Sequence, residues 1–156
     1  MNSPIVKIHT SSELYDILVD YNLDNPFEAI DKLDKSIKYF RNSLHNCDHK
    51  STNYFFCLYV NGEIVGIVKY KVGGCYSFMY PEYNNWISYV SINPKHQSKG
   101  YSKLLLDELF KFTQERNLSI LSSGYTKKGY NRIRPYMRKL AEKYNIDFKD
   151  SDRIEF

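Results

Sequence analysis

An apolar segment at 86–92 turns through Asn93-Pro94-Lys95-His96-Gln97-Ser98-Lys99-Gly100-Tyr101-Ser102 into an amphipathic segment at 103–116. The first reads as a strand, the last as a helix, and the bend between them is built from small and polar residues. Such a bend leaves the first backbone N–H groups of the helix unpaired and pointing outward. With the positive end of the helix dipole, they form an anion site. Gly100 and Ser102 keep side-chain bulk away from the approach, and Lys95 and Lys99 add positive charge. The expected ligand is phosphorylated.

Two common phosphate loops do not fit. The Walker form needs a glycine five residues before Gly-Lys-Ser/Thr, whereas this chain has Gly100-Tyr101-Ser102 with Lys95 at the earlier position. A dinucleotide fingerprint needs three glycines, and only Gly100 is present. The pattern Gln97-x-x-Gly100-x-Ser102, with Pro94 and the His96 ring before it and Leu104-Leu105-Leu106 after it, does fit a known run. It resembles the coenzyme A loop of the GNAT superfamily of acyl-CoA-dependent N-acyltransferases. Ser102 departs from the Gly or Ala usual there, and its hydroxymethyl group is small enough to crowd a pyrophosphate without excluding it.

The 156 residues make one domain of common size, 1–156, long enough to bury a proper core. A net charge of +4 suits an anionic cofactor as well as nucleic acid, so it decides between neither. No apolar run has membrane-spanning length, and Pro4, Lys7 and His9 interrupt any signal-peptide pattern. A cytoplasmic protein without a membrane partner is expected. The 3 cysteines, odd in number and irregular in spacing, argue for a reducing compartment. The 15 tyrosines go with many Asn, Lys and Ile residues and read as compositional bias.

Along the chain, 5–9 reads as a first strand, and Thr10, Ser11 or Ser12 can cap the helix that carries Leu14, Ile17 and Leu18. Pro26 opens a second helix with the stripe Phe27, Ile30, Leu33, Ile37 and Phe40. A polar loop, 45–53, precedes two strands, 54–60 and 63–70, joined by the hairpin signal Asn61-Gly62. The central strand at 86–92, the helix at 103–116 and a strand at 118–123 follow. A last long helix spans 130–144, with short closing strands at 146–148 and 153–156. The order β-α-α-β-β-β-α-β-α-β(-β) is an α/β layout with a mixed central sheet flanked by helices, and it is the order of the GNAT fold. The closing strands are short for that family, which leaves the substrate side more open or completed by a second subunit in a homodimer.

The resemblance implies acetyl-CoA as acyl donor and a primary amine, on a small molecule or protein, as acceptor. Its pyrophosphate would sit on Gln97, Ser98, Lys99, Gly100, Tyr101 and Ser102, with the pantetheine arm pairing along the main chain of Val90, Ser91 and Ile92. The N–H near Val90 would polarise the thioester carbonyl. In the family a tyrosine in the run Phe-Tyr-x-Lys-x-Gly-Phe protonates the leaving thiolate. Here the equivalent run is Leu140-Ala141-Glu142-Lys143-Tyr144-Asn145-Ile146. Alanine takes the acid's position, and Asn145 can end the helix as the glycine does.

Replacements follow from helix geometry. Tyr144 lies one turn past Ala141 on the same face, Tyr130 three turns before it, and Tyr125 just past the strand end where the family's sheet splays. Tyr136, five residues from Ala141, is expected to point away. For the base, Glu82, Glu63 or a water relay through Ser88 or Ser91 stay open. A non-catalytic module of the same fold, binding CoA or a protein or RNA partner, is the alternative that Ala141 keeps open.

Other constellations read as structural. His45, Cys47 and His49 lack a fourth ligand and a Cys-x-x-Cys partner, so no metal is expected. Cys57 reads as a buried small hydrophobe, and Cys75 as a loop thiol. The basic residues Arg132, Arg134, Arg138, Lys139 and Lys143 spread around the last helix and read as a solvated face, not a nucleic-acid surface. Tyr76, Phe78, Tyr80, Tyr83 and Trp86 are expected to line the acceptor side of the cleft.

Overall fold

The computed structural model describes residues 3–10, 13, 14, 17, 52–74, 79–122 and 124–154. Its elements run β1 (Ile5–Thr10), β2 (Thr52–Val60), β3 (Glu63–Val72), β4 (Asn85–Ile92), α1 (Tyr101–Arg116), β5 (Ile120–Ser122), α2 (Lys127–Tyr144) and β6 (Phe148–Lys149). They form a six-stranded sheet in the order β1-β2-β3-β4-β5-β6. Pairing is antiparallel from β1 to β4 and parallel from β4 to β6. The mixed α/β layout read from the sequence holds across these elements.

Local chemistry explains the boundaries. Thr10 is the residue that caps the first helical turn: Glu13 N donates to Thr10 Oγ1 at 3.3 Å, and Thr10 N donates to Glu13 Oε1 at 3.4 Å. Glu13, Leu14 and Ile17 are helical. Leu18, the second helix, the His45–His49 constellation, Cys75, Tyr76 and Phe78 lie outside the described residues. At the β2–β3 turn Asn61 and Gly62 have φ of 51° and 81°, the pair of left-handed conformations that a two-residue hairpin requires.

Both helices end in the same way. Asn117 and Asn145 take the left-handed conformation, and Leu118 N and Ile146 N reach back to Thr113 O and Ala141 O at 2.9 Å. The start of α2 differs from the expected 130. Thr126 Oγ1 accepts from Gly129 N at 3.0 Å, so the helix opens at Lys127.

The main core lies between the two helices and one sheet face. Leu105, Leu106, Leu109 and Phe110 of α1 meet Phe56, Leu58, Val68 and Tyr70 of the sheet. The buried Tyr70 hydroxyl donates to Ser119 O at 2.7 Å, so its polar tip costs little. On the opposite face Phe55, Cys57, Ile64 and Ile67 pack with Leu14. Cys57 is the buried hydrophobe expected, and burial pushes its thiol well above the usual value. No helix among the described residues is long and apolar enough to cross a membrane.

Candidate functional site

The site begins where the sheet comes apart. β4 pairs with β5 at Trp86↔Leu121 and Ile87↔Ser122, and β5 then stops while β4 runs on to Ile92 beside β3. Against β3, Lys69 faces Tyr89 and Tyr70 faces Ile87, so Ser88 is an extra residue bulged out of the ladder. Asn93 N donates to Val65 O at 2.8 Å, which fixes the direction of the hydrogen bonds along β4. Alternation then turns the main-chain groups of Asn93 and Ser91 toward β3. Those of Val90 and Ile92 turn toward the side β5 has vacated. Gln97 Nε2 takes up the Ile92 carbonyl there, at 3.1 Å.

From this open edge the chain enters the loop. Asn93 Oδ1 accepts from Lys95 N at 2.9 Å and starts a short 3-10 turn over Pro94–His96. Ser98 and Gly100 both have positive φ, 64° and 76°. Gly100 N-caps α1 with no side-chain hydrogen bond, and the first turn holds no acidic residue. Among the described residues no acceptor meets the N–H groups from Ser98 to Lys103. Successive N–H groups with alternating handedness around a bare helix start make a concave anion site. Beside it the His96 ring stacks on Tyr101, with centroids 6.2 Å apart, and His96 Nδ1 is buried with no hydrogen-bond partner among the described residues.

A cavity of about 560 Å³ runs from this loop to the open edge of β4, and a smaller one of about 130 Å³ continues it into the gap between β4 and β5. Val90, Thr126, Gly129 and Ile133 line both, so the two form one cleft. Of the residues read from the sequence, Val90, Ile92, Gln97, Ser98, Gly100, Tyr101 and Ser102 line the larger cavity. Ser91 and Lys99 do not. Strand alternation puts the Ser91 side chain on the face away from Val90 and Ile92, and Lys99 is exposed.

The sequence reading missed the opposite wall. Thr126, Lys128, Gly129, Arg132, Ile133 and Tyr136 line the larger cavity from α2. Their spacing of three and four residues was the available signal. Starting the helix at 130 hid it. Tyr136, expected to point away, is in the lining because the face of α2 turned to the cleft is set by Gly129 and Ile133, not by Ala141.

The three tyrosines proposed as acid share one feature: each donates its hydroxyl proton to a carboxylate. Tyr144 reaches Asp107 Oδ1 at 2.9 Å, Tyr125 reaches Asp150 Oδ1 at 3.1 Å, and Tyr130 reaches Asp152 Oδ1 at 2.6 Å. Only Tyr125 among them lines the cleft, in its smaller part. Burial, followed by the charge and hydrogen bond of Asp150, raises the Tyr125 hydroxyl above the usual tyrosine range. The Asp152 hydrogen bond raises Tyr130. Tyr136 is also raised, by burial first and then by Asp107, and no hydrogen bond engages its hydroxyl among the described residues. Lys103 Nζ lies 5.3 Å from the centre of the Tyr136 ring.

The acceptor-side aromatics fall elsewhere. Tyr83 donates to Asp147 Oδ1 at 2.8 Å, Tyr80 lies under Lys149, and Trp86 is buried beneath Lys71. Glu63 and Glu82 are exposed, and Ser88 lines the smaller cavity. Among the described residues no group of three or more His, Cys, Asp or Glu could hold a metal ion.

A sheet split, a bare helix start and a cleft of about 560 Å³ between them put an open strand edge and a set of anion donors in one site. Residues 12–140 match the family model described as acetyltransferase (GNAT) family, and the chain belongs to that family. Solved structures agree on the fold. An aminoglycoside acetyltransferase, meta-AAC0020, from an uncultured soil metagenomic sample in complex with trehalose, is 17% identical, with 88% of this chain and 86% of that one covered at a TM-score of 0.54. The aminoglycoside N-acetyltransferase AAC(6')-Iy in complex with CoA is 14% identical, with coverage of 97% and 96% and a TM-score of 0.53. An N-acetyltransferase from Staphylococcus aureus Mu50 is 19% identical, with coverage of 92% and 83% and a TM-score of 0.51. No curated protein sequence matches the chain.

Proposed function

We propose that the chain is an acetyl-CoA-dependent N-acetyltransferase that moves the acetyl group to a primary amine by direct attack. One observation carries the reading: the open edge of β4 leads straight into an uncapped helix start that Gly100 keeps clear. A Cβ built at Gly100 meets nothing within 4 Å, so space stands over the donors that a diphosphate needs. Acetyl-CoA supplies an activated acyl group and a thiolate leaving group. The N–H groups from Ser98 to Lys103 hold the diphosphate, and Val90 and Ile92 offer main-chain groups to an extended arm. The Val90 N–H is the donor for charge on the thioester oxygen. Tyr125, which lines the gap where the sheet opens, is the proton donor that the cleft geometry favours.

The test is release of free CoA thiol from acetyl-CoA across an amine panel containing an aminoglycoside, a polyamine and a peptide with a free α-amine. Amine-dependent release supports the reading. A second reading, a CoA-binding module without turnover, is favoured by the engagement of the Tyr125, Tyr130 and Tyr144 hydroxyls with carboxylates. Tight acetyl-CoA binding with no release on any amine would establish that module instead.

A further inference from the structure

The arginines of α2 are treated in two ways. Arg134 Nε lies 2.6 Å from Asp150 Oδ2, and its second nitrogen lies 3.0 Å from Asp152 Oδ1. Arg138 also pairs with Asp150, at 2.9 Å. Arg132 lines the larger cavity instead, and among the described residues no carboxylate pairs with it. Lys128, one turn earlier on the same face, reaches the neutral Gln97 Oε1 at 3.5 Å. Lys103 completes a lining that contains three cations and, among the described residues, no carboxylate. Lys103 belongs to the first turn of α1, so its charge adds to the N–H groups around Gly100 and serves the same anion. Lys128 and Arg132 stand on the opposite wall.

We propose that Lys128 and Arg132 form a second phosphate subsite, which selects a nucleotide carrying a phosphomonoester on its ribose besides the diphosphate. The proposal rests on the coenzyme A reading above and deepens it: the group held is the 3′-phosphate. A phosphomonoester carries close to two negative charges at neutral pH, and arginine offers it a planar pair of donors. Both side chains are exposed and line the cleft opposite the loop, where no described carboxylate competes with a ligand for them. The same helix shows that its arginines are paired wherever a carboxylate is in reach.

The test is calorimetric titration of coenzyme A, dephospho-coenzyme A and adenosine 3′,5′-bisphosphate into the wild type, Arg132→Ala, Lys128→Ala and the double variant. The wild type is expected to bind coenzyme A at least about tenfold tighter than dephospho-coenzyme A, the worth of a charge-assisted hydrogen bond. In the double variant the preference disappears, and both ligands bind with the affinity that the wild type shows for dephospho-coenzyme A. Arg132→Lys retains part of the preference, and the thermal unfolding midpoint of each unliganded variant confirms that it folds. Equal wild-type affinity for the two ligands, or an equal loss for both in the variants, overturns the subsite. Failure of the wild type to bind any of the three ligands overturns the coenzyme A reading itself, a separate outcome.

Discussion

Gly100→Asp separates the two things a glycine can do at this bend. Its φ of 76° favours glycine, but a Cβ there meets nothing within 4 Å, so the fold itself has room for a side chain. A left-handed conformation costs an L-residue about 1–2 kcal/mol, with aspartate toward the lower end because its short polar side chain tolerates it. A carboxylate at a helix start recovers about 0.3–1 kcal/mol through the dipole. The unliganded variant therefore stays within about 1 kcal/mol of the wild type, or roughly 2–4 °C in Tm. The ligand feels a far larger effect. A unit charge about 4 Å from a diphosphate, at an effective dielectric constant near 20, is repelled by about 4 kcal/mol, close to a thousandfold in Kd. At a hundred times its Kd, acetyl-CoA stabilises the wild type by about 2.7 kcal/mol, a shift of roughly 5–10 °C. The same concentration then lies near a tenth of the variant's Kd and shifts its Tm by well under about 1 °C. Thermal shift with and without acetyl-CoA measures both quantities in one plate. Gly100→Asn, equal in shape but neutral, keeps most of the shift. A full shift in Gly100→Asp refutes the placement of the anion at this helix start.

Three further outcomes follow from the geometry. Tyr125→Phe lowers kcat by about a hundredfold with little change in the KM of acetyl-CoA, whereas Tyr144→Phe leaves kcat alone; equal effects would remove Tyr125 as proton donor. Burial would raise the carboxyl of Asp150, but the Asp152 N–H, Arg134 and Tyr125 outweigh it and hold it below the ordinary 3.8. A depressed folded value means that its stabilisation is complete above 3.8 and is lost as pH falls through and below that value. Asp150→Asn should accordingly lower Tm at pH 7, and the gap to wild type should close in acid; a gap constant with pH contradicts the assignment. At the end of α2, Asn145→Gly should match or raise the wild-type Tm, while Asn145→Val should lose about 1–2 kcal/mol from its left-handed backbone, read by chemical denaturation.

Much of this was legible because the signals are local. Asn61-Gly62 forces its own turn, and the loop from Pro94 to Ser102 carries its chemistry in consecutive residues. Asn145 was readable as a helix end because left-handed backbone has few tenants. What the sequence hid depends on orientation. Ser91 looked equivalent to its neighbours until the Asn93 N–H bond to Val65 set which residues of β4 face outward. The helix wall of the cleft was missed because Lys127-Lys128-Gly129 reads as loop, and only the Thr126 cap shows that the helix has already begun. The candidate acids depend on orientation too: Tyr130 and Tyr144 donate to carboxylates outside the lining of the cleft, and of the three tyrosines Tyr125 alone lines it.

The parting of β4 from β5 is what joins fold to chemistry. A parallel pair that continued past Ile87↔Ser122 would satisfy the outward groups of β4 and close the cleft at once. β5 holds three residues, and the bulge at Ser88 turns β4 away as they end. An exposed strand edge ordinarily invites another chain, a hazard that proteins suppress by covering it. Here the edge lies in a cleft whose lining includes residues of α1 and α2. From Ser88 to Ile92 the edge spans about 13 Å at roughly 3.3 Å per residue, room for an arm bearing amides of its own. The phosphate loop lies at one end of that span, and the gap where the sheet opens lies at the other. On the function proposed above, a ligand anchored by its diphosphate at Gly100 and paired along Val90 would deliver its far end to the split in the sheet. That is where the transferred group has to be.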